Sequence, residues 1–131
     1  MTEEQIALAR RAVACKGWRW MPGMRYCSVA VAAETASPFS FTGYQRVGED
    51  VDMVAYTDWV PCLPDVEDPA TLGCLLALVR EACGDDEAYA MPWHDEDGGW
   101  TVTVNDEDRC HNIAEGETEV EALVTALEEA P

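Results

Sequence analysis

The sequence predicts an α+β fold, in which an antiparallel sheet carries an N-terminal helix, a central apolar helix and a C-terminal amphipathic helix packed against it. Capping signals stand ahead of apolar residues at helical spacing at both ends of the chain. Asp68-Pro69 opens a long apolar run that closes at Gly84, and "WTVTV" alternates in the manner of a strand. The order helix, strands, helix, hairpin, helix shows no repeat and no linker tract. The 131 residues are therefore read as one acidic domain, 1–131.

Thr2 and Gln5 match a capping box, Ile6, Ala9 and Val13 follow on one helical face, and Lys16-Gly17 reads as a stop with a C′ glycine. "RYCSVAVAA", from Arg25, is short and rich in small and β-branched residues, as a buried strand requires. Between Ser37 and Pro64, "FSFTGY", "VDMVAY" and "DWVPCLP" read as one or two short strands joined by loops. Asp68 is the expected cap of the central helix, with Pro69 at its first position and Leu72, Leu75, Leu76 and Val79 as its core face. "EAYAM" and a loop, "PWHDEDGG", lead to "WTVTV", where Trp100, Val102 and Val104 are expected inward and Thr101 and Thr103 outward. "NDED" turns the chain into "RCHNI". Thr118 and Glu121 then match a second capping box, ahead of Val120, Leu123, Val124 and Leu127.

Charge is the strongest functional signal. The chain carries 26 acids against 8 bases, a formal net charge of -18. Residues 1–46 hold 6 bases and 3 acids (net +3), whereas residues 47–131 hold 2 bases and 23 acids (net -21). The acids cluster at expected loops, turns and helix starts: Glu49, Asp50 and Asp52; Asp65 and Glu67; Asp85, Asp86 and Glu87; Asp95, Glu96 and Asp97; Asp106, Glu107 and Asp108. Stabilised helix dipoles, solubility or salt adaptation explain such a surface, and Lys16 is the only lysine. A more specific reading is imitation of DNA, which presents one charge per roughly 1.7 Å of duplex axis. The partner would then be the basic surface of a nucleic-acid-binding protein, approached by electrostatic steering.

Against that background, "GWRWMPGMR" is an exception, with no acid in it. Arg19 and Arg25 are expected to pair with acids of the same chain while Trp18 and Trp20 pack. The competing reading makes Trp18, Arg19, Trp20 and Arg25 an exposed contact patch. Trp18 and Trp100 read as core or core-rim residues rather than base-stacking platforms.

Other classes fare less well. A chain at -18 lacks the basic footprint for direct nucleic-acid binding. No pair of cysteines among Cys15, Cys27, Cys62, Cys74, Cys83 and Cys110 has zinc-ligand spacing, and they are expected as reduced thiols, with Cys74 and Cys83 buried in the central helix. His94, Asp95, Glu96 and Asp97, with His111 or Cys110, are the one cluster suggesting a metal, but they lack the alternation of a calcium loop. No nucleophile elbow, phosphate loop or paired metal-binding histidines is present. The expectation is a non-enzyme without cofactor or metal, and without a secretion signal or membrane segment.

"ACKGWRWMPGM", "DPATLGCLLALVREACG" and "GETEVEALVTALEEAP" resemble blocks of an uncharacterised family of small phage and prophage proteins. The last two, with "GGWTVTV" between them, are similar in layout to the phage αβα-sandwich domain. The resemblance covers about a third of the chain and brings no catalytic motif. It implies a bacterial cytoplasm as the workplace and, for an acidic protein, inhibition of a host restriction or CRISPR complex. A structural or assembly accessory protein of the virion is the second expectation, and a metal-dependent enzyme at His94–Asp97 a distant third.

Overall fold

The structure is a computed structural model and describes residues 2–28, 44–50, 62–93, 98–106 and 109–131. Its elements follow in the order α1 (Glu3–Ala14), β1 (Arg25–Ser28), β2 (Gln45–Arg46), β3 (Cys62–Pro64), α2 (Pro69–Cys83), β4 (Tyr89–Pro92), β5 (Trp100–Asp106), β6 (Arg109–Gly116) and α3 (Glu119–Glu129). Among the described residues three helices and antiparallel strands make this an α+β protein. The strands form two sheets rather than the expected one, β2-β1-β3 and β4-β5-β6. In each, the central strand pairs with a neighbour on both sides.

The chain divides into two compact units, one of residues 1–13 and 19–74, the other of residues 14–18 and 75–131. In the first, α1 begins as its sequence dictates. The Gln5 amide donates to Thr2 Oγ1 at 3.2 Å, and the Thr2 amide donates to Gln5 Oε1 at 2.8 Å, a complete capping box. Ala9 and Ala12 are its buried residues. Met24, Cys27, Val47, Leu63 and Val66 form the rest of that unit's apolar core. "RYCSVAVAA" is a strand through Ser28. Its continuation, "VDMVAY", and all of "FSFTGY" but Tyr44 lie outside the described residues.

The helix α2 ends at Gly84 as expected. Gly84 has φ +67, and the amides of Gly84 and Asp85 donate to the carbonyls of Glu81 (3.2 Å) and Arg80 (3.0 Å). These are the two bonds of a Schellman motif, whose left-handed residue is cheapest as glycine. The buried face is Thr71, Leu75, Leu78 and Val79, while Leu72, Leu76, Cys74 and Cys83 are half-buried. The expected face was thus rotated slightly, because a helix apolar nearly all round does not mark its own inner side.

In the second unit α3 packs on β6, β5 and β4. It buries Ala122, Leu123, Val124, Ala126 and Leu127, and Ala88, Val102 and Ala114 are buried with them in the unit's core. Its cap differs in one bond from the expected box. The Glu121 amide donates to Thr118 Oγ1 at 3.2 Å, but the Glu121 carboxylate accepts from the Glu117 amide at 2.8 Å. Both bonds still cover amides at the helix start.

Two glycines stand in close packing, and at Gly116 the packing excludes any side chain. A Cβ on Gly17 would stand 3.0 Å from Leu127 Cδ1 and 3.4 Å from Ala82 Cβ, and Gly17 has no positive φ. It therefore serves close packing and not the C′ conformation expected of it. At Gly116, where β6 meets α3, a Cβ would stand 2.5 Å from the Ala122 nitrogen and 2.9 Å from the Glu121 carbonyl carbon. Backbone cannot retreat from such an overlap without moving α3. Gly116→Ala is expected to lower the stability of the second unit by at least about 2–3 kcal/mol. Gly73→Ala, in α2 with nothing within 4 Å of the added methyl, is expected to raise stability by about 0.5–1 kcal/mol. Urea midpoints of the two variants check both signs.

Candidate functional site

Asp68 and Asp65 organise the first unit. Asp68 caps α2, its Oδ2 accepting from the Thr71 amide at 3.0 Å and from the Thr71 hydroxyl at 3.0 Å. The same carboxylate takes Arg46, with Nη1 donating to Oδ2 at 2.5 Å and Nη2 to Oδ1 at 3.2 Å. Thr71 Oγ1 accepts from the Arg25 amide at 2.8 Å, so β1 is tied to the start of α2. The Arg25 guanidinium is held by Asp65, through Nε at 2.7 Å and through Nη2, and lies 3.8 Å from Asp68. Its Cζ stands 4.8 Å over the Tyr44 ring, a cation–π contact.

Asp65, expected among the surface acids, is buried. A carboxylate can be buried here because Arg25 and the Glu67 amide, donating to its Oδ1 at 3.1 Å, replace its water. The hydrogen bond that Arg25 donates to Asp65 raises the Arg25 guanidinium above its ordinary value. The bonds from Arg46 and Thr71 lower the Asp68 carboxyl below the usual carboxylate range.

The acid-free stretch divides accordingly. Arg25 is bound to acids of its own chain. Trp20 is half-buried and meets Tyr26 edge-on, with ring centroids 5.7 Å apart. Trp18 is half-buried and Arg19 exposed. Arg46 Nη1 also donates to the Gly23 carbonyl at 2.8 Å, and residues 23–24 exchange backbone bonds with Val47. The stretch is thus held by the strand it faces.

Of the remaining acids singled out in the sequence, Glu49, Asp50, Glu67, Asp86 and Glu87 are exposed. Asp85 is half-buried, accepting from the Glu87 amide at 2.9 Å and the Asn105 amide at 2.7 Å. Asp106 is the last residue of β5. Asp52, Asp95, Glu96, Asp97, Glu107 and Asp108 lie outside the described residues, as does His94. His111 and Cys110 are exposed on β6. Among the described residues, no three of His, Cys, Asp or Glu gather to hold a metal.

All six cysteines are free thiols. Desolvation raises the Cys27, Cys74 and Cys83 thiols above their ordinary value, so at neutral pH these three are protonated and poor nucleophiles. Among the described residues no helix is long and apolar enough to cross a membrane.

A feature missed in the sequence lies on the sheet face opposite α3. Thr101 and Thr103, expected outward, are 1 % and 3 % exposed. In the register they stand between Met91 and Tyr89 of β4 and Glu115 and Asn112 of β6, and their hydroxyls donate to the Ala114 carbonyl at 3.1 Å and to Asn112 Oδ1 at 3.0 Å. They belong to the lining of a groove of about 440 Å³, with Tyr89, Met91, Trp93 and Asn112 around them. Tyr89 and Trp93 remain 37 % and 41 % exposed. A bulge opposite Val102/Thr103 leaves Ile113 outside the register, which puts Asn112 and Glu115 on the same side of β6.

The chain matches no protein-family model, no curated protein and no solved structure.

Because Asp68 has a lowered folded pKa, its contribution to stability is present above the unfolded value of about 3.9 and is lost as pH falls through the folded value. Asp68→Asn is expected to cost about 1–2 kcal/mol at pH 7, since Arg46 loses its charged partner but is half exposed and regains water, while asparagine still caps α2. It should also flatten the decline in urea midpoint below about pH 4.

Proposed function

We propose that the protein is a non-enzymatic binding protein whose carboxylates engage the basic surface of a nucleic-acid-binding protein in place of a phosphate backbone. The observation supporting this is the division of charges in the first unit. Arg25 and Arg46 are committed to the buried Asp65 and Asp68, whereas Glu49, Asp50 and Glu67 stand exposed. Asp86 and Glu87 are likewise exposed in the second unit. Arg25 and Arg46, though their side chains are 38 % and 49 % exposed, are charge-paired to Asp65 and Asp68, and the acids left over carry the net charge of -18. The resemblance to phage protein blocks points the reading towards a host restriction or CRISPR complex in the bacterial cytoplasm.

Fields of this kind accelerate encounter and are screened over about 8 Å at physiological ionic strength. The immobilised chain is expected to capture a DNA- or RNA-binding complex from bacterial lysate at low salt, to lose it at high salt, and to be displaced by duplex DNA. Combining Glu49→Gln, Asp50→Asn, Glu67→Gln, Asp86→Asn and Glu87→Gln should weaken the capture about tenfold or more while leaving the melting temperature nearly unchanged. Capture of phage structural proteins alone, or capture that duplex DNA does not displace, would overturn the proposal.

A further inference from the structure

We infer that the groove on the β4-β5-β6 face is a binding site for an arginine side chain presented by a basic protein segment. Its walls are the exposed rings of Tyr89 and Trp93, with Met91 between them in sequence. Rings at the lip of a concavity of about 440 Å³ offer both apolar area and a negative π face, and the volume falls within the range of sites that enclose a small group.

The floor selects among ligands. Thr101 and Thr103, 1 % and 3 % exposed, form a closed floor whose hydroxyls are already donated to Ala114 and Asn112, and the exposed acceptor beside them is the Asn112 side-chain oxygen, which takes the Thr103 hydroxyl and has a second lone pair. None of the lining side chains is basic. Glu115, exposed and opposite Thr101 in the register, adds a carboxylate on the same face. Acceptors, a carboxylate and aromatic rings in a chain of net charge -18 repel phosphate and carboxylate ligands and suit a cation. Between the two common cations, guanidinium is the better fit. It is planar, stacks on aromatic rings, and carries five N–H donors, enough to meet both the Asn112 amide oxygen and the Glu115 carboxylate. A compact, strongly hydrated ammonium uses neither the rings nor the floor as fully.

This rests on the reading of a basic protein partner and names one anchor by which such a partner would be held, lined by residues other than the five carboxylates substituted above. The probes are short blocked peptides, Gly-Arg-Gly, Gly-Lys-Gly and Gly-Glu-Gly, titrated into the full chain and followed by amide and indole NMR shifts. The arginine peptide is expected to shift Thr101, Thr103, Asn112 and the Trp93 indole saturably, with several-fold weaker binding of the lysine peptide and none of the glutamate peptide. Trp93→Ala with Tyr89→Ala should weaken arginine binding about tenfold, and Glu115→Gln, a milder change, about threefold. The variant lacking the five exposed carboxylates should retain these groove shifts even where it loses capture of the nucleic-acid-binding complex. Equal response to arginine and lysine, shifts spread over the acidic surface, or full binding by the Trp93/Tyr89 variant would overturn the inference. Loss of the groove with DNA-displaceable capture intact would leave the broader proposal standing.

Discussion

The Asp68 carboxylate is the interaction on which the first unit depends. It ends the loop before α2 by capping it, receives Arg46 from β2, and reaches β1 through the Thr71 hydroxyl and the Arg25 backbone amide. Over the described residues β1 pairs with β2 at Arg25 and Tyr26 and with β3 from Tyr26 to Ser28, so the three strands meet beside the start of α2. A multiply bonded carboxylate ties β1, β2 and the start of α2 into one arrangement. It is also the least forgiving kind of support, because a buried charge that loses its partner costs far more than the pair contributes.

The second unit is held differently. There, apolar burial by α3 across three strands supplies the main cohesion, and Gly116 lets the helix start close enough to the sheet for that burial to occur. Polar groups serve the edges: Asp85 meets the Asn105 amide, and the Arg80 guanidinium bonds the Ala88 carbonyl at 2.7 Å. Small residues at Ala88, Ala114, Ala122 and Ala126 keep the layers near each other, and the glycine continues that trend to its limit.

These two modes of support bear on function through charge. Buried carboxylates recruit the arginines, and the exposed carboxylates are left to define the field around the chain. Within that field the groove beside Tyr89 and Trp93 is the contrasting surface, aromatic and furnished with hydrogen-bond acceptors. A long-range field and a short-range aromatic contact act at different stages of association, the first on encounter and the second on residence.

The sequence by itself determined the helices and their ends. Thr2–Gln5, Asp68-Pro69, Gly84 and Thr118 carry signals that depend on neighbours a few residues away, so local chemistry was sufficient. The hairpin of β5 and β6 was legible for the same reason. The tertiary structure alone decided what depends on residues distant in the chain. Asp65 looked like a surface acid because its partner, Arg25, is forty positions earlier, and burial follows from that pairing. Gly17 looked like a helix stop because its neighbour Leu127 lies more than a hundred positions onward. Thr101 and Thr103 read as outward because alternation records two faces but not what covers each. The groove, finally, needed both the register of three strands and a bulge that no residue in "RCHNI" announces. Local signals are written in spacing, whereas pairing across the chain is settled only when packing brings the partners together.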